Sequence, residues 1–178
     1  SCTPMRLTVA VHATTQSAEL IHREEFEMNH EDFMREALAL AEAALKEGEF
    51  PVGSILVYKN KILATGARKG TAEGFANEVD HAEIMVLRNL AGRKDFNEIN
   101  RQAITLYCTM EPCLMCFGAI LLSGIGKIVY AYEDVMGGGT GCDIENLSPL
   151  YRNSLIEIIP GILRKESLDI FKVYFSNP

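Results

Sequence analysis

The chain has 178 residues, 48% of them hydrophobic and 23% charged, the balance of one compact folded unit rather than a disordered or fibrous chain. Its 17 Lys and Arg against 24 Asp and Glu give a formal charge of −7, the opposite of a general nucleic-acid footprint, so an anionic partner needs a local basic patch. No apolar run approaches the roughly 18 residues of a membrane-spanning helix, no signal sequence is legible, and five cysteines, an odd number, fit a reducing compartment such as the cytoplasm better than a disulfide framework.

Residues 1–24 are expected to be an N-terminal tail, its first four residues an expression remnant ahead of Met5, and residues 25–178 a single domain. Over residues 29–47, Phe33, Met34, Ala37, Leu38, Ala41, Ala44 and Leu45 recur three and four apart, which predicts an amphipathic helix stopped by Gly48. Residues 54–58 and 62–66 are β-rich and separated by Lys59, Asn60 and Lys61, the pattern of a hairpin. Polar residues 66–80 predict a loop, with Asp80 as N-cap of a second helix. A third strand is predicted over 104–108, then a Met110-Glu111-Pro112 turn opening a helix over 113–123, with Pro112 near its first position and Gly124 past its end. Residues 127–132 read as a fourth strand, and strand, helix, strand in tandem implies a right-handed crossover with parallel neighbours. The class is therefore α/β. Residues 137–141 predict a plain turn or a mobile loop, residues 155–159 a short fifth strand, and residues 163–175 a last helix.

Chemistry concentrates at two helix starts. His81 and Glu83 lie at one, Cys113 and Cys116 at the other. Cysteines three apart on a helix reach one tetrahedral centre, the positive helix end favours their thiolates, and an imidazole supplies a third ligand. The expected metal is zinc, and three protein ligands leave the fourth position to water, with Glu83 as the adjacent base. Alone, Cys-x-x-Cys is equally compatible with a redox dithiol or a structural zinc half-site. His-x-Glu followed by Pro-Cys-x-x-Cys, here His81-Ala82-Glu83 and Pro112-Cys113-Leu114-Met115-Cys116, is far more specific, because it is the pattern of zinc nucleobase deaminases.

On these residues the sequence resembles the cytidine deaminase-like superfamily over residues 30–175, and Thr109-Met110-Glu111-Pro112 ahead of the cysteines is most similar to its tRNA adenosine deaminase branch. The resemblance implies a three-layer α/β/α domain around a five-stranded mixed sheet of order 2-1-3-4-5. It implies one zinc per chain on His81, Cys113 and Cys116, Glu83 as the catalytic proton shuttle, and hydrolytic loss of an exocyclic amino group as ammonia. It also places Val52 and Ala82 against substrate, and a homodimer is expected from it. The chain departs from the family where an asparagine usually follows the second strand, since Gly66-Ala67-Arg68 stands there, which makes Arg68 a candidate specificity residue.

The expected activity is deamination of a purine or pyrimidine base, nucleoside or related amino-heterocycle. A tRNA-specific adenosine deaminase is the sibling reading, disfavoured by charge, and a non-catalytic zinc-stabilised interaction domain is the reading from another class. His12, His22 and His30 read as solvated surface residues, Cys108 as sheet core, and Phe171, Tyr174 and Phe175 as a packing face. Glu111 reads as a carboxylate that orders its turn.

Overall fold

A computed structural model describes residues 28–72 and 77–176. The expected tail, with His12 and His22, lies outside the described residues.

Helix α1 (His30–Lys46) begins where Asn29 caps it: the Asn29 side-chain oxygen accepts from the backbone N–H groups of Glu31 and Asp32 at 2.8 and 3.0 Å, and the Asp32 carboxylate accepts from Asn29 N–H in return. This reciprocal cap satisfies donors that a helix start otherwise leaves free. Gly48, at φ 78°, takes the chain out of the helix.

Strands β1 (Gly53–Tyr58) and β2 (Lys61–Ala67) pair antiparallel. Their turn is Lys59-Asn60 alone, both residues at positive φ, the geometry that matches strand twist in a two-residue hairpin. Helix α2 (Ala82–Ala91), strand β3 (Thr105–Met110), helix α3 (Leu114–Ser123) and strand β4 (Lys127–Tyr132) follow, then helix α4 (Pro149–Arg152), strand β5 (Glu157–Ile159) and helix α5 (Arg164–Ser176). The sheet order is β2-β1-β3-β4-β5. β1 runs antiparallel to both its neighbours, while β3, β4 and β5 are parallel, so the expected five-stranded mixed sheet is the one observed, with α3 as the crossover between β3 and β4.

Period-two alternation sorts the core into two faces. Ile55, Val57, Tyr107, Val129 and Ala131 pack under Phe33, Met34, Ala37 and Leu38 of α1. Leu56, Leu106, Cys108 and Ile128 pack under Val86, Leu90, Phe117 and Ile120 of α2 and α3. Helices therefore cover both faces of the sheet.

Three expected boundaries move. Asp80 does not cap α2; its carboxylate is drawn sideways to Asn77 and Arg88, and His81 becomes the N-cap residue, without a side-chain cap bond. Pro112 stands one residue before the N-cap Cys113 rather than inside α3. The fifth strand shrinks to three residues because only Lys127, Ile128 and Val129 of β4 face partners there.

Candidate active site

Two close backbone approaches set the site. α2 lies directly on the hairpin at Gly66, where a Cβ would sit 2.5 Å from the Ala82 carbonyl oxygen and 2.6 Å from Val86 N. Only glycine permits that approach, and it fixes the height of His81, Ala82 and Glu83 above the sheet. At the other helix start, Gly139 lies against α3 so closely that a Cβ would be 2.7 Å from Leu114 N, and its own N–H donates to the Pro112 carbonyl at 2.8 Å. Glu111 completes the brace, its carboxylate accepting from Asp134 N–H, Thr140 N–H and the Thr140 hydroxyl. The glycine segment 137–141 is thus a strut holding the start of α3, and Glu111 orders that turn as expected.

These braces bring His81, Cys113 and Cys116 together, with one ligating atom from each within 4.8 Å of the others. The Cys113 Sγ to His81 Nδ1 separation is 3.6 Å. A tetrahedral zinc with ordinary Zn–S and Zn–N lengths spaces two such ligands by about 3.6 Å, so the donor set fits zinc in both chemistry and spacing. Neither His81 nor Cys113 caps its own helix with a side chain, so both side chains are free to act as ligands while the two helix starts add positive potential.

The electrostatics of the trio are those of thiols sharing protons. Cys113 is pulled down to about 3 by the hydrogen bond from Cys116 and then by His81, against burial that opposes it. Cys116 is pushed up, first by its bond to Cys113 and then by burial, and His81 is raised chiefly by its bond with Cys113. Glu83, 3% exposed, is raised above the ordinary carboxylate range by burial. A carboxyl so placed holds a proton more readily near neutral pH, as a proton carrier must.

Beside the trio lies a cavity of about 320 Å³ whose walls include Val52, Arg68, Ala82, Glu83, Met110 and Tyr174. All seven candidate residues from the sequence, namely Glu83, His81, Cys113, Cys116, Val52, Ala82 and Arg68, therefore lie at or beside one cavity. Arg68 is buried, 5% exposed, rather than solvated; its Nη2 donates to the Asn77 carbonyl at 2.9 Å and to Glu78 at 3.2 Å.

Other expectations change. His30 is half-buried and bonds the Tyr107 hydroxyl at 2.8 Å, away from the cavity. Phe171 is core, as expected, but Tyr174 lines the cavity and Phe175 is exposed. Cys108 is core and something more: its sulfur accepts from the Ser54 hydroxyl at 3.0 Å, and it lies close enough to the buried Glu83 carboxyl for the two to influence each other's charge. The signal in the sequence was strand parity, since Cys108 shares the inward face of Leu106, which lies under α2.

Residues 27–132 match the sequence model of the family described as the cytidine and deoxycytidylate deaminase zinc-binding region. The tRNA-specific adenosine deaminase of Haemophilus influenzae is 35% identical over 161 residues, 87% of this chain and 86% of that protein. The Bacillus subtilis enzyme of the same name is 32% identical over 143 residues, 80% of this chain and 86% of its own length. Among solved structures, one from a study of A-to-I editing by tRNA:A34 deaminases is 28% identical with a TM-score of 0.65, covering 78% of this chain and 97% of that one. A guanine deaminase from Nitrosomonas europaea, 21% identical with a TM-score of 0.64 over 83% of this chain and 85% of its own, shares the fold.

Proposed function

Because the chain belongs to the zinc-binding cytidine and deoxycytidylate deaminase family, and is thus a zinc-dependent hydrolytic deaminase, we propose that its substrate is a small free base, nucleoside or related amino-heterocycle. In this reading His81, Cys113 and Cys116 hold the zinc, Glu83 is the catalytic acid and base, and Val52, Ala82 and Arg68 contact substrate. When bound, zinc supplies Lewis acidity and lowers the pKa of water toward about 7. Glu83 takes the proton that water gives up on attack and delivers it to the ring nitrogen beside the amino-bearing carbon; it then takes the remaining proton of the added hydroxyl and passes it to the departing amine. The ring gains an oxo group as the C–N bond breaks, and ammonia leaves.

The observation that carries the small-substrate reading is the state of the basic residues on α5. Arg164 pairs with Glu133, Lys165 and Lys172 share Asp169, and Glu166 stands on the same helix, so the terminal helix presents balanced charge rather than a basic arm to a polyanion. Phosphate binding needs several uncommitted Lys or Arg contacts. A tRNA substrate is the second reading, supported by the names of the two relatives given above. Ammonia release from free bases, nucleosides, nucleotides and an anticodon stem-loop RNA, at low and moderate salt, decides between them. Turnover of small compounds is expected; efficient deamination of the stem-loop with none of any small compound overturns the proposal.

A non-catalytic zinc domain has no use for a cavity beside the ligands or for a buried Glu83 aligned with them, which supports catalysis over that alternative. We further propose a homodimer, supported by exposed Leu114 and Leu122 on α3 and Val135 and Met136 nearby in the chain, an apolar surface of the kind that partners cover. Cytoplasmic residence is proposed as well, supported by four free cysteines among the described residues. No described helix is long and apolar enough to cross a membrane.

A further inference from the structure

Arg68 is a cation held in the cavity wall with too few acceptors. Its side chain is 5% exposed, yet the carboxylate it meets belongs to Glu78, which is 87% exposed. Nη2 makes both of its bonds, to Asn77 and Glu78, while Nε and Nη1 are shut from water with no partner. Among the acceptors that line the same cavity, the Glu111 carboxylate is committed to Thr140 and to Asp134 N–H. Buried donors are nearly always paired in folded proteins, so two unpaired nitrogens on one guanidinium at a cavity call for a ligand acceptor.

Building on the deaminase reading above, we infer that Arg68 reads the substrate, donating from Nε or Nη1 to an oxygen on the heterocycle itself, so that the preferred substrates carry a ring oxo group beside the amino group. Depth assigns the oxygen to the ring rather than to a sugar or phosphate. The Arg68 backbone N–H donates to the carbonyl of buried Val52 at 2.9 Å, which keeps the residue in the inner wall, where the reacting ring must come to reach the metal ligands. A sugar or phosphate would extend outward, toward the exposed carboxylate of Glu78. That carboxylate is a solvated and weakly held partner, so the guanidinium can turn about its terminal torsions and exchange it for a substrate oxygen. A charge-assisted bond of this kind is among the stronger polar contacts, and a site built to donate rejects analogues that lack the acceptor.

The test compares zinc-loaded parent enzyme with Arg68→Gln and Arg68→Lys, measuring ammonia release from cytosine and guanine, which carry an oxo group, and from adenine, which does not. Adenosine, adenosine monophosphate and an anticodon stem-loop form the sugar and phosphate arms. Calorimetric binding of uracil and xanthine reports recognition apart from chemistry. Arg68→Gln is expected to lower kcat/KM on the oxo compounds, and to weaken uracil or xanthine binding, by roughly 10- to 100-fold. Turnover of adenine falls by a clearly smaller factor than that of the oxo compounds, and Arg68→Lys recovers part of the loss on the oxo compounds. An equal fall on every compound together with a lowered melting temperature assigns Arg68 a purely structural role and overturns the inference. So does a loss confined to the phosphate arms, turnover of adenine compounds alone, or no change. Should the parent release ammonia from none of these compounds, the small-substrate proposal fails, and uracil and xanthine binding still decides the role of Arg68: binding equal in parent and Arg68→Gln, or absent from both, overturns it.

Discussion

Glu83→Gln removes the titrating oxygen while keeping the shape of a fully buried side chain. It should leave fold and zinc content unchanged and slow turnover by at least roughly 10²- to 10⁴-fold, the usual contribution of a positioned acid or base. Steady-state kinetics with metal analysis checks this, and activity within about twofold of the parent would remove Glu83 from the reaction. Cys113→Ser exchanges a thiolate for a hydroxyl that stays protonated at neutral pH, so elemental analysis should find less than one zinc per chain; unchanged stoichiometry would mean that the metal sits elsewhere. The candidate metal trio was legible in the sequence because part of its spacing is local: two residues between Cys113 and Cys116 place both at one helix start. The place of Tyr174 in the cavity wall and the burial of Arg68 were not legible. Each depends on what another element brings opposite, and a pattern within one segment carries no record of that.

Elements here are positioned by glycine contacts as much as by hydrophobic faces. Gly66→Ala puts a methyl group 2.5 Å from the Ala82 carbonyl oxygen, so α2 must lift. Overpacking of this sort costs about 1–3 kcal/mol, and because the lifted turn carries His81 and Glu83, kcat/KM should fall further than Gly53→Ala makes it fall. At Gly53 the methyl meets the Ala37 carbonyl of α1 at 2.2 Å, a clash on the opposite face of the sheet. Urea unfolding and kinetics on both variants measure the contrast, and equal activity losses would show that the α2 contact has no privileged role. Glu133, just past β4, is held down to about 2 by Arg164 of α5, and Asp169 within α5 to about 2 by Lys165 and Lys172. A carboxylate lowered on folding adds stability that is present above its unfolded pKa and is lost as pH falls through the folded one. These pairs therefore release their small, screened contribution between roughly pH 4.5 and 2. Carboxyl titration by NMR should show Arg164→Ala returning Glu133 toward 4.5 while Asp169 stays near 2; a Glu133 that does not move would break the assignment. Helix and strand existence was legible from periodicity, whereas the caps were not, because Asn77 and Arg88 compete for Asp80 through tertiary contacts.

At the scale of the whole molecule, a zinc held by His81, Cys113 and Cys116 would join α2 to α3, neighbours on one face of the sheet, so its removal should loosen both at once. Ions bound only by the native state add stability with the logarithm of their saturation, about 2.7 kcal/mol at a hundredfold excess over Kd. Stripping by a strong chelator should accordingly lower the melting temperature by about 5–10 °C, and an unchanged melting curve would mean the ion contributes nothing to folding. Light scattering at micromolar protein should give a dimer mass, and a single-chain mass at every concentration would defeat the homodimer. The hairpin and the parallel crossover were both legible from residue patterns, but the complete strand order came from resemblance, since nothing local says that β1 lies beside β3. That order also decides which strands are outermost. One border of the sheet is β2, which is joined to β1 through an irregular register between Leu56 and Val57 and is exposed at Lys61 and Ile62; the other is β5, three residues long, with Glu157 in an ion pair to Lys127. Short, kinked and charged borders are poor templates for a foreign strand. Self-association of this chain is thereby steered to its helices, and crowded or long-stored preparations should resist growth into cross-β fibres.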